Sequence, residues 1–183
     1  MLFRSPGSTT GTRLWTPALI DALAADKAVW LAVHANHPRE FAPAARAACT
    51  RLADAGLPLV SQSVLLRGVN DDAATLEALM RTFVELRIKP YYLHHGDLAP
   101  GTAHLRTTLE QGQALMRALR GRVSGLCQPE YVLDIPGGHG KAPVGPNYLS
   151  QADSPQRDRL PQTRYRVVDY CGEVHFYPPT SGS

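Results

Sequence analysis

Apolar residues gather in four short β-rich runs, at residues 28–34 (AVWLAVH), 57–66 (LPLVSQSVLL), 88–95 (IKPYYLHH) and 129–135 (PEYVLDI), which start about 30 to 40 residues apart. Helical spacing fills the gaps. Between residues 72 and 87, Leu76, Leu79, Met80, Phe83 and Val84 fall at i, i+3, i+4, i+7 and i+8, the pattern of a helix with one buried face. Residues 41–55 are Ala-rich, with Pro43 in the first turn and Gly56 just past the end. Thr108 and Gln111 have the spacing of a capping box for a helix running to Arg120 and stopped by Gly121. A shorter helix is expected to open at Thr16-Pro17 and end near Ala25.

Strand and helix therefore alternate, which predicts an α/β fold with about four parallel strands joined by right-handed crossovers. Residues 150–161 are polar and read as a loop. Beyond them, residues 165–170 and 173–177 flank Cys171-Gly172 like a small hairpin, and residues 178–183 are expected to fray.

Composition narrows the class. At 183 residues and 44% hydrophobic, the chain is long enough for one sizeable core, and no apolar run approaches the ~20 residues that span a bilayer. The net charge of +3 is spread along the sequence without a basic block, so neither a membrane nor a nucleic acid is an expected partner. Cys49, Cys127 and Cys171 are odd in number and far apart, so neither a disulfide framework nor a CxxC-type metal knuckle can be read from them, and a reducing compartment is expected. Residues 1–14 lack the apolar core of a secretory signal, so a cytoplasmic location is expected.

Ligands of parallel α/β folds bind beyond the carboxyl ends of the strands. Here those ends carry His34-Ala35-Asn36-His37, Arg67-Gly68-Val69-Asn70, His94-His95-Gly96-Asp97, and Asp134 followed by Pro136-Gly137-Gly138-His139-Gly140-Lys141. Asp134 interrupts an apolar strand, and a buried carboxylate needs a partner. The glycine-rich segment is no Walker phosphate loop, because position 135 is Ile135 and Ala142 follows the lysine. It offers instead one amine on a backbone stripped of side chains, which suits a lysine that reacts with a carbonyl.

These segments, HANHPREF, LADAGLPLVSQSVLLRGVND, PYYLHHGDLAPGTAHLR and GLCQPEYVLDIPGGHGKAPVGPNY, together resemble the lysine 2,3-aminomutase family of radical S-adenosylmethionine enzymes, over nearly the full chain from about Leu14 to about Pro178. The resemblance implies the C-terminal portion of a partial (βα) barrel: a non-family segment at 1–13, half a barrel at 14–149 with the cofactor lysine in a loop, and a tail at 150–183. It implies that Lys141 is the catalytic lysine that forms the imine with pyridoxal phosphate. It also implies that Asp97 and Asp134 bind the side-chain ammonium of a lysine substrate, free or on a protein. His34 and Gln62 correspond to positions on the S-adenosylmethionine side of the cavity, with Arg67 and Asn70 supporting the same rim.

The physics of the two aspartates agrees with that implication, since paired carboxylates without a protein partner repel one another and select a cation. The family's CxxxCxxC motif, which holds a [4Fe-4S] cluster, is absent from this sequence, so the chain is expected to be inactive alone. Its expected partner is a cluster-bearing N-terminal half or a second copy, with the 28–34 strand an exposed edge prone to association. Two other readings stand beside this one. A non-catalytic remnant or partner subunit is the first, and a metal-dependent hydrolase using His34, His37, His94 or His95, and Asp97 as ligands is the second.

Overall fold

The structure is a computed structural model and describes residues 2–3, 15–25, 28–151 and 164–179. The chain divides into two compact units, Met1–Gly145 and Pro146–Ser183.

The first unit is a six-stranded sheet in simple sequential order: β1 (Leu2–Phe3), β2 (Leu31–His34), β3 (Leu59–Val64), β4 (Ile88–His94), β5 (Glu130–Asp134) and β6 (Lys141–Pro143). Strands β1 to β5 pair in parallel, and β6 returns antiparallel to β5. Two expectations are corrected. The outer side of β2 is paired to the two-residue strand Leu2–Phe3, so it is not the open edge its sequence suggested. Lys141 lies not in a loop but at the first position of a strand, because the glycines behind it close a tight turn.

The helices are α1 (Pro17–Ala24), α2 (Pro43–Asp54), α3 (Ala73–Glu85) and α4 (Leu109–Arg120). Their starts follow the local chemistry of orphan backbone amides. Thr16 caps α1, Asp72 caps α3, and Thr108 with Gln111 forms the reciprocal box at α4. Four residues of the α3 apolar stripe, Leu76, Leu79, Met80 and Phe83, are each at 0% exposure, and Val84 at its edge is half-buried. It packs in one core with Leu31, Leu59, Ile88, Leu93 and Tyr131 from the sheet.

The two faces of this sheet differ. Along β3, Leu59, Ser61 and Ser63 are buried while Val60, Gln62 and Val64 are only half-buried. Side chains alternate between faces, so the first set belongs to the helix-covered face and the second to a half-open one. The β3–β4 register steps between Ser61 and Gln62: Ser61 pairs with Pro90 but Gln62 with Tyr92, leaving Tyr91 as one extra residue. Such a bulge exchanges the faces of everything after it. Without it, Leu93 would share the half-open face with Val64, and His94 would point into the helix-side core.

The second unit is an antiparallel sheet of β7 (Leu149–Gln151), β8 (Tyr165–Val168) and β9 (Val174–Tyr177). The expected hairpin is β8–β9. Residues 152–163, most of the expected 150–161 loop, and residues 180–183 of the expected frayed end lie outside the described residues.

Candidate functional site

The half-open face carries the sequence's candidate chemistry in register. His34 at the end of β2 pairs with Gln62 on β3, Gln62 pairs with Tyr92 on β4, and Asp134 on β5 pairs with Lys141 on β6. His94, brought round by the bulge, stands at the end of β4. Parallel pairing places the ends of β2 to β5 on one rim.

At the β5–β6 end, Ile135 N donates to Gly140 O at 2.9 Å and closes the turn. Gly137, Gly138 and Gly140 all have positive φ, a region that side chains disfavour. That turn sets Asp134 directly opposite Lys141, and Lys141 Nζ donates to Asp134 Oδ1 in an ion pair. The other carboxylate oxygen, Oδ2, lies 3.0 Å from His94 Nδ1. The Asp134 carboxyl is held below the ordinary carboxylate range, chiefly by the Lys141 hydrogen bond; burial opposes this, and the His94 hydrogen bond adds a lesser lowering. Asp134 is thus an ionised acceptor, and His94 must carry its proton on Nδ1 to donate to it. The expectation that Asp134 lacks a protein partner is therefore corrected: it has two.

Asp97 follows β4 and is exposed, and its carboxylate has no hydrogen-bond partner among the described residues. Its backbone oxygen accepts from Arg106 Nε at 3.0 Å, which pins the loop. A cavity of about 190 Å³ opens here, lined by Val64, Leu66, Gly96, Asp97, Leu105 and Arg106. That is below the ~300 Å³ of a typical ligand pocket, and it suits a ligand's tail better than a whole cofactor.

Asn70 was expected at the cofactor rim, but it is fully buried and its amide is spent on backbone. Its Nδ2 donates to Asn36 O at 2.8 Å and Val64 O at 2.9 Å, and its Oδ1 accepts from Leu66 N at 2.7 Å. It ties the ends of β2 and β3 together, supporting the rim without lining it. Asn36, absent from the expected site, continues the clasp: its Oδ1 accepts from Val64 N at 2.7 Å. That bond fixes the amide so that Nδ2 faces His34 Nε2 at 3.3 Å. An amide NH2 only donates, so His34 Nε2 is an acceptor and the neutral ring carries its proton on Nδ1. Glu40 completes the corner by accepting from the amides of Asn36 at 2.6 Å and His37 at 3.0 Å. The His37-to-Glu40 spacing of a capping box was the available sequence signal, disguised by a histidine in the capping position. Arg67 is exposed, its backbone amide bound to Leu105 O at 2.8 Å.

The histidines expected for a hydrolytic metal centre have other partners. His37 Nδ1 accepts from Arg39 N at 3.0 Å, and His95 Nδ1 lies 2.6 Å from the Tyr131 hydroxyl. Burial keeps the His95 pKa below its ordinary value and pushes the Tyr131 hydroxyl up to about 12. Among the described residues, the one group of three with metal-ligand spacing is Asp169, Glu173 and His175 in the second unit, none of them among the expected ligands. The cysteines do not suit an iron–sulfur cluster either: Cys49 lies in α2 and Cys127 in a short turn before β5, both buried, and burial pushes the Cys49 thiol up to about 11.

Fold and rim together define an α/β protein whose polar groups converge at the carboxyl ends of a mostly parallel sheet. Comparison with known proteins sharpens this. The lysine-2,3-aminomutase family pattern matches residues 116–160, a stretch that holds both Asp134 and Lys141. The L-lysine 2,3-aminomutase of Clostridium subterminale is 47% identical over 134 residues, 73% of this chain and 32% of that protein. The putative L-lysine 2,3-aminomutase of Aquifex aeolicus is 42% identical over 168 residues, covering 92% of this chain and 43% of that one. A solved radical SAM methyltransferase from Sphaerobacter thermophilus superposes with a TM-score of 0.50 at 25% identity, over 63% of this chain and 37% of the other. The chain belongs to the lysine 2,3-aminomutase family, and it spans roughly a third to two-fifths of the length of these curated relatives. No described helix is long and apolar enough to cross a membrane.

Proposed function

We propose that this chain is the pyridoxal phosphate- and lysine-binding portion of a lysine 2,3-aminomutase-type isomerase, built as the C-terminal part of a partial (βα) barrel. The observation that carries it is Lys141: an amine on the half-open sheet face, next to a turn whose glycines leave the approach clear, within the matched family stretch.

The residues present suit pyridoxal phosphate. Lys141 would hold it, and the added Cβ positions at Gly138 and Gly140 meet nothing within 4 Å, so a planar ring can come close. When bound, that group supplies an extended π system able to delocalise an unpaired electron. The chain's own part is to bind and orient. Asp97, an unpaired carboxylate, attracts the far ammonium of a lysine whose methylene tail enters the cavity at Val64 and Leu66. Asp134, oriented by His94, offers the second carboxylate from the neighbouring strand. His34 and Gln62 lie in register farther along the rim, where S-adenosylmethionine would approach, with Asn36, Asn70 and Arg67 shaping that end.

The residues do not suit the [4Fe-4S] cluster, because the sequence has no CxxxCxxC and its cysteines are buried or separate. We assign the cluster to the part of the family's length that these 183 residues do not span, place the protein in the cytoplasm, and take this portion to be inactive alone. The test is spectroscopic: pyridoxal phosphate should give a visible absorption band with the chain, Lys141→Ala should lose it, and S-adenosylmethionine with a reductant should yield no amino migration. A band of equal strength in the variant would refute the reading.

A further inference from the structure

Asp134 accepts from Lys141 and from His94 at the same time, and the backbone leaves this arrangement little freedom. Asp134 and Lys141 are direct cross-strand partners in an antiparallel pair, whose side chains leave the sheet on the same face. The turn between them is closed by the Ile135–Gly140 bond and by three glycines at positive φ. His94 is the less mobile partner: its side chain is only 14% exposed, against 40% for Lys141. One carboxylate oxygen is thus held by a fixed imidazole, and the other by a half-exposed ammonium that water can replace.

From this geometry we infer that Asp134 is a single cation site with two exclusive claimants, the ammonium of Lys141 and the ammonium of an incoming ligand, and that His94 is the positioning residue that keeps the carboxylate aimed at either one. The inference rests on the function proposed above and adds an order to it: engaging the Lys141 amine withdraws it from Asp134 and opens the carboxylate to the ligand. An unloaded chain therefore masks part of its own substrate site. Asp97 differs, because its exposed carboxylate has no hydrogen-bond partner among the described residues and is not masked by Lys141. The masking is mild, because an ion pair this exposed to solvent is weak, and that weakness is what allows exchange.

The experiment needs no cofactor. L-Lysine is titrated into the folded chain while the His94 ring resonances, which report on Asp134 through the 3.0 Å bond, are followed by NMR. Lys141→Met removes the competing charge and should tighten lysine binding about three- to tenfold, whereas Lys141→Arg keeps a cation there and should bind as the wild type does. Asp134→Asn with Lys141→Met should abolish the response. His94→Gln, followed by lysine-dependent changes at other rim resonances, should weaken binding to Lys141→Met while leaving its unfolding profile unchanged. Equal affinity in wild type and Lys141→Met, with both showing native circular dichroism, would overturn the inference. Lys141→Met cannot capture a carbonyl, so this result is separate from pyridoxal phosphate binding by the wild type: a band that depends on Lys141 with no gain in Lys141→Met defeats only the masking.

Discussion

The backbone of Gly112 in α4 lies against the hydroxyl end of Tyr131 on β5, so closely that an added Cβ would stand 2.1 Å from the tyrosine oxygen and 2.3 Å from the ring carbon that bears it. Tyr131 is 1% exposed and is held at its tip by His95. It has no room to retreat. This contact sets the separation between α4 and the strand that carries Asp134.

Gly112→Ala should accordingly destabilise the chain although alanine is the better helix former by about 1 kcal/mol. Overpacking of a filled core costs about 1–3 kcal/mol, and the net effect should lower the melting temperature by several degrees. Circular dichroism melts of both proteins check this. A rise in melting temperature would mean that helix and sheet stand farther apart than described.

Asn70→Ala strips partners from Leu66 N, Asn36 O and Val64 O around a side chain that is itself fully buried. Unpaired buried polar groups cost about 1–3 kcal/mol apiece before relaxation, so urea unfolding should show a loss of about 2–4 kcal/mol. Asn70→Asp should fare little better, since it retains the acceptor for Leu66 N but turns a carboxylate toward two carbonyls.

The sequence reveals the elements whose causes are local and hides those whose causes are distant. The box at Thr108 and Gln111, the cap at Asp72 and the stripe from Leu76 to Val84 are all written within one or two helical turns. The bulge at Tyr91 is not, because register is decided by the neighbouring strand, although the doubled Tyr91-Tyr92 in an alternating run was its trace. Strand β6 was hidden for a different reason: Lys141-Ala142-Pro143 is too short to show alternation, and the glycines before it read equally well as an open loop. The Asn70 clasp joins residues 34 positions apart, so Asn70 looked like a rim residue. The strand ends were legible, with His34, Asp97 and Asp134 at or just past the ends of β2, β4 and β5, whereas Gln62 lies inside β3 and Lys141 opens β6. That Asp134 would already be occupied was not legible, because nothing in one sequence shows that a turn of this length aligns it with Lys141.

Thiol reactivity should separate the cysteines. Cys171 is exposed, while Cys49 is buried with its thiol pushed up to about 11, so little thiolate forms near neutral pH. A thiol reagent at pH 7.5 should modify Cys171 at least tenfold faster than Cys49, and denaturant should remove the difference. Equal rates in the native chain would contradict the packing of α2.

The Asp134 carboxyl is held below its ordinary range in the folded chain. A lowered carboxyl pKa adds stability above the unfolded value, and that stability is lost as the pH falls through the folded one. The difference in stability between wild type and Asp134→Asn should therefore be constant near neutrality and shrink below about pH 4. The effect is small for a group this exposed. Chemical unfolding at pH 7 and at pH 3.5 measures it, and a difference that grew toward low pH would reverse the assignment.

The most direct test of the proposed role of Lys141 is to map where pyridoxal phosphate attaches. The chain contains three lysines, Lys27, Lys89 and Lys141. Lys89 donates to the backbone oxygens of Pro90, Leu126 and Gln128, so its amine is engaged. After incubation with pyridoxal phosphate, reduction with borohydride and proteolysis, mass spectrometry should find the label on the peptide containing Lys141, and Asp134→Asn should leave it there. Comparable label on all three lysines, or label confined to Lys27 or Lys89, would contradict the assignment of Lys141 as the cofactor-binding residue.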